Sequence, residues 1–89
     1  MRFMWNEEKN ELLKKQRNIS FEEIVEILEN NRNSILDVID NPKHHGEWIY
    51  ILSLSEKYFV YLVQFLVLND GSIFLKTIYP SRKDTKNYK

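Results

Sequence analysis

Asn69-Asp70-Gly71 lies between two runs of strand-forming residues, and no other feature of the chain constrains its fold as much. Gly tolerates the positive φ that a tight hairpin needs. Before the turn, Tyr58 to about Leu66 is the most apolar segment and reads as a central strand buried on both faces. After it, Ser72 to Tyr79 reads as the final strand, ended by Pro80, which has no N–H to give to a ladder. Upstream, Glu47 to Leu54 reads as a strand with Trp48, Tyr50, Leu52 and Leu54 on one face. Ser34 to Asp40 is rich in β-branched residues and reads as another. The Asn41–Gly46 loop and the Ser55-Glu56-Lys57 turn are short, so consecutive strands should run antiparallel.

Two helices are expected before the strands. Asn6 can cap a helix from Glu7 to about Arg17, which is sparsely apolar, mainly Leu12 and Leu13, and so should lie on the surface. Ser20-Phe21-Glu22-Glu23 is a capping box, with Ile19 and Ile24 at the positions of a hydrophobic staple. Phe21, Ile24, Val25 and Leu28 repeat at helical spacing and give one buried face. This face should pack on a sheet carrying Val60, Leu62, Phe74 and Ile78, or the residues alternating with them. The order α-α-β-β-β-β implies an α+β fold, two N-terminal helices followed by a four-stranded, mostly antiparallel sheet. Residues 84–89 read as a frayed tail or the first turn of a helix.

A chain of 89 residues makes one domain, spanning 1–89, with a thin core. It has no cysteine, which excludes disulfides and thiolate–metal sites and fits a cytoplasmic location. Glu7, Glu8 and Lys9 arrive too early for a signal peptide, and no apolar run is long enough for a membrane span. The net charge of zero hides a division. Residues 18–40 carry six acids and one base, whereas residues 71–89 carry five bases and one acid. Such a balance argues against bulk coating of long nucleic acids and leaves room for a local basic surface.

That basic surface is where chemistry is expected. Lys76 lies inside the last strand, and Arg82-Lys83 follows it closely. A positive cluster on a rigid sheet suits a phosphate and the charge that builds up during phosphoryl transfer. Arg82 is the best phosphate ligand, since a guanidinium is planar, charged and bidentate. Lys76 can act electrostatically, with Lys83 and Lys86 on flanking phosphates. The bland alternatives are a solvated basic end and, for Lys76, a stem that covers apolar surface beside Phe74 and Ile78. His44, His45 and, more weakly, Glu47 are candidate acid–base groups. The adjacent histidines diverge and lack a third ligand at metal-site spacing, so exposed loop residues are the plainer reading and no metal is expected. The aromatic residues belong mostly to the sheet. Tyr79, ending a strand beside Arg82, is the one expected to stack on a base.

Three segments, residues 4–10, 18–23 and 79–85, resemble in that order those of the BrnT toxins, small ribonuclease toxins of bacterial toxin–antitoxin operons. Met4-Trp5-Asn6-Glu7-Glu8-Lys9-Asn10 is similar to the family's Trp-Asp-Glu-x-Lys opening. Asn18-Ile19-Ser20-Phe21-Glu22-Glu23 resembles its helix start, and Tyr79-Pro80-Ser81-Arg82-Lys83-Asp84-Thr85 its segment after the last strand. Gln16-Arg17-Asn18 stands where the family often carries Lys-His-Gly, and Arg17 joins Tyr79 and Lys86 among the expected RNA contacts. The family's long helix after the Arg-Lys segment is missing or cut to a stub, and Lys76 stands nearest to a family Arg of the last strand. The resemblance implies a RelE-like fold and an endoribonuclease that needs no metal or other cofactor. Its catalytic residues would be Lys76, Arg82 and Lys83, its substrate RNA, and its effect inhibition of translation and growth. It also implies a cognate antitoxin, typically a ribbon-helix-helix DNA-binding protein. A catalytically silent toxin-like binding module is the alternative.

Overall fold

A computed structural model describes residues 1–54 and 57–88. Among these described residues, three α-helices and a five-stranded sheet form a mixed α/β fold of the expected class. The strands are β1 (Phe3–Trp5), β2 (Ile35–Asp40), β3 (Trp48–Ser53), β4 (Val60–Val67) and β5 (Ile73–Ser81). The helices are α1 (Glu7–Arg17), α2 (Phe21–Asn30) and α3 (Arg82–Tyr88), with a 3-10 turn at Arg32–Ser34. The spatial order is β1-β5-β4-β3-β2. Strands β2 to β5 form the antiparallel meander, and β1 adds a parallel edge against β5. The fifth strand was not expected: three residues are too short for alternation to register. Residues 55 and 56 of the expected turn, and Lys89 of the basic end, lie outside the described residues.

Both helix starts follow their caps. Asn6 accepts from the Lys9 amide at 3.0 Å, and Ser20 from the Glu23 amide at 3.2 Å. Helix α1 ends at Asn18 in the left-handed region (φ 52°), a conformation Asn tolerates better than most residues. Ile19 and Ile24 are buried as the staple requires. Leu13 enters the core, whereas Leu12 stays exposed.

Asn10 joins the two helices and is fully buried. Its carbonyl accepts from the Phe21 amide at 2.8 Å, and its amide donates to Glu22 at 2.7 Å and Glu7 at 3.2 Å. The Asn10 amide, with the backbone N–H of Glu22 second, holds the Glu22 carboxyl below its ordinary range. A carboxyl held low in the folded state stabilises above its unfolded value, and that contribution fades as acid protonates it. Asn10→Ala would leave the buried Phe21 amide unpaired, at a cost of about 2 kcal/mol. A drop in Tm of about 8–16 °C is expected by calorimetry, and an unchanged Tm would refute this role.

The helices cover one sheet face. Phe21, Ile24 and Leu28 pack with Leu52, Leu54, Tyr61, Val63, Phe65, Ile73, Leu75 and Ile78. The alternates of Val60, Leu62 and Phe74 thus take the core face, but Ile78 keeps it. The reason is a bulge in β5: Leu75 pairs with Phe65 and Thr77 with Gln64, so Lys76 is an extra residue. Strand parity reverses there. The expectation that Lys76 shares a face with both Phe74 and Ile78 is corrected accordingly. The opposite face carries a smaller buried cluster, Ile49, Ile51, Val60 and Leu62, with Leu36 and Tyr79 against it.

Strand β5 runs through Pro80, two residues beyond its expected end at Tyr79. Ile78, two residues earlier and in the same phase, has its carbonyl bound by the Arg17 guanidinium. Backbone groups of that phase point away from β4, so Pro80 forfeits no ladder bond. Of the two expectations for the C-terminal end, a tail or a helical turn, the helix holds: α3 begins at Arg82. Ser81 accepts from the Asp84 amide at 3.1 Å and donates to its carboxylate at 2.7 Å, a capping arrangement. Thr85 is buried, accepts from the Val60 amide at 2.7 Å and donates to the Ser81 carbonyl at 2.6 Å, which pins α3 to β4.

Candidate functional site

The expected site residues separate into two groups along β5. On the sheet face away from α1 and α2, the Lys76 ammonium lies 2.9 and 3.1 Å from the two carboxylate oxygens of Glu47. Glu47 immediately precedes β3, and the pairing Trp48–Phe65–Leu75 carries it across β4 to the bulge. The pair is partly shielded, the side chains being 18% exposed at Glu47 and 36% at Lys76. Tyr79 lies further along the same strand, and its hydroxyl accepts from the Gln64 amide at 3.4 Å.

The second group lies at the end of β5. Arg82 opens α3 and is exposed, as are Lys83 and Lys86. No ion pair holds Arg82 among the described residues. Lys76 stands five residues before Ser81, roughly 15 Å along the strand. Its ammonium points to Glu47, beyond the level of Leu75 and so away from α3. Lys76 and Arg82 therefore do not converge on one phosphate in this structure, contrary to the expectation that the two form a single cluster.

The remaining candidates fall as follows. His44 and His45 are exposed in the 41–47 loop, where the His44 carbonyl accepts from the Glu47 amide at 3.1 Å. His45 and Glu47 line one hollow of about 300 Å³ with Asp40, Asn41, Gly46 and Trp48. Arg17 is engaged with the Ile78 carbonyl at the β5 edge left uncovered by the short β1. Among the described residues, no three of His, Cys, Asp and Glu gather as a metal site. No helix among them is long and apolar enough to cross a membrane.

Sequence reasoning missed the closed Lys76–Glu47 pair, although it named both residues. It placed Tyr58 among the sheet aromatics and missed Phe59; both line a pocket of about 720 Å³ with Arg82, Thr85 and Lys86. Ser81-x-x-Asp84 was the available signal for the helix that builds that pocket.

The site thus sits on a five-stranded sheet with α1 and α2 on one face and the basic helix α3 after the last strand. The chain is similar to the crystal structure of the Brucella abortus ribonuclease toxin BrnT, with a TM-score of 0.62 over 91% of this chain and 96% of that one. Sequence identity is 12%, so the likeness is one of fold. The chain matches no protein-family model and no curated protein sequence.

Proposed function

We propose that this protein is the toxin of a toxin–antitoxin pair, an endoribonuclease that cleaves RNA without a metal. The observation that carries this reading is the Lys76–Glu47 pair on the sheet face left free by α1 and α2, in a fold shared with a ribonuclease toxin.

RNA cleavage of this kind needs a base, a stabilised phosphorane and a proton for the leaving oxygen. Glu47 takes the proton of the ribose 2′-OH, held in position by Lys76. The freed oxygen attacks the adjacent phosphorus, and the bond to the 5′-oxygen breaks. Lys76 stands beside the negative charge that develops at phosphorus. The 5′-oxygen takes a proton from Lys76 or from water, leaving a cyclic phosphate and a 5′-hydroxyl. Arg82, Lys83 and Lys86 hold phosphates further along the strand, and Tyr79 lies between the two groups. His45, which shares a hollow with Glu47, is the reserve acid–base group.

A cognate antitoxin, of the ribbon-helix-helix type, would hold the protein inactive by covering this face. Induction of the isolated chain should arrest growth and produce RNA fragments with 5′-hydroxyl ends, read by end mapping. Intact RNA and normal growth at full expression would leave the silent binding module as the better reading.

A further inference from the structure

The pocket at the end of the sheet has a chemistry of its own. Tyr58 is 76% exposed, an unusual position for a large aromatic ring. It meets Phe59 edge to face, with centroids 5.2 Å apart and planes at 81°. Phe59 in turn packs against the helix-side core, so the aromatic wall is anchored to the fold. The facing wall is α3. Arg82 and Lys86 are four residues apart and so share one side of that helix. Thr85, pinned to Val60 and Ser81, turns this side toward the aromatic pair. No acid belongs to the described lining, and like charges at this spacing repel. An anion between them relieves that repulsion. The volume, about 720 Å³, falls in the range of roughly 300–1,000 Å³ typical of small-ligand sites.

We propose that Tyr58, Phe59, Arg82 and Lys86 form a nucleotide subsite for single-stranded RNA, in which a base stacks on Tyr58 and its phosphate lies between Arg82 and Lys86. Stacking accepts any base because every base has a π face, so the subsite contributes affinity and register, with little sequence preference. This inference deepens the ribonuclease reading and rests on it for the identity of the polymer. Because Lys76 lies well down β5 and Glu47 is paired with it there, the subsite receives a nucleotide away from the scissile bond.

The test uses the full chain and a short fluorescent RNA with 2′-O-methyl groups, which cannot be cleaved. Binding is followed by anisotropy across a salt series. Tyr58→Ala should weaken binding roughly 5- to 150-fold, and Tyr58→Phe should retain most of it. Lys86→Ala should flatten the dependence of log K on log salt by about 0.7. Unchanged binding in Tyr58→Ala, an unchanged slope in Lys86→Ala, or no binding by the parent chain would each overturn the proposal. So would preferential binding of an acidic peptide of equal charge, which would give the pocket to a protein partner. The readout does not involve cleavage. A chain that binds through Tyr58 but cuts no RNA keeps the subsite and loses the nuclease. A chain that cuts RNA but ignores Tyr58 does the reverse.

Discussion

Lys76→Ala is expected to lose growth arrest and to lower kcat for RNA cleavage by about 10²–10³-fold, with KM nearly constant. An ammonium beside phosphorus gains most when negative charge develops there, so its removal is felt in the transition state. Glu47→Gln keeps the shape of the side chain and removes the base, and should cost about 10²–10⁴-fold in kcat. The two residues act as one unit, joined at 2.9 Å. The double variant should therefore be little worse than the poorer single one. Neither change should move Tm by much, because a partly exposed ion pair contributes only about 0–1 kcal/mol to folding. Full cleavage by Lys76→Ala at matched expression would remove the pair from the mechanism.

The legible part of the fold was set by local chemistry. Ser20 and Asn6 announce helix starts because few side chains can accept from an orphan amide. Gly71, at φ 87°, allows the turn that its sequence neighbourhood demands. Val60 to Val63 are buried in succession, as a central strand with cover on both faces must be. What stayed hidden depends on pairing. The bulge at Lys76 has no signature in β5 itself, since it is a relation between β5 and β4. One inserted residue reverses the faces downstream, and strict alternation misplaces Phe74 against Ile78 for that reason alone.

The site shows the same division. Lys76, Arg82, Lys83 and Lys86 were readable as a basic end because charge is a property of residue type. Their grouping was not readable. Glu47 reaches Lys76 across a separation of 29 residues, through a register of three strands. Arg82 turns to Tyr58 and Phe59 because Thr85 fixes the rotation of α3, and that bond is made with Val60, 25 residues away. Arg17 was counted among the RNA contacts at the position where the resembled family often carries Lys-His-Gly. Its nearest acceptor is instead a backbone carbonyl, exposed because β1 is only three residues long.

Arg82→Ala should reduce kcat/KM for RNA by roughly 10- to 150-fold, the worth of losing charge-assisted hydrogen bonds of about 1.5–3 kcal/mol. The geometry assigns most of this loss to KM. Arg82 lies roughly 15 Å from the Lys76 bulge along β5, so the phosphate it holds is not the one that reacts. An interaction equal in ground state and transition state changes KM and leaves kcat in place. Arg82→Lys should recover only part of the loss, since a point charge does not reproduce a bidentate fork. The melting curve should stay put, because the side chain is exposed and no ion pair holds it among the described residues. Steady-state kinetics on a short RNA separate the two constants. A collapse of kcat at constant KM would mean that Arg82 reaches the scissile phosphate after all, and that α3 moves toward Lys76 when RNA is bound.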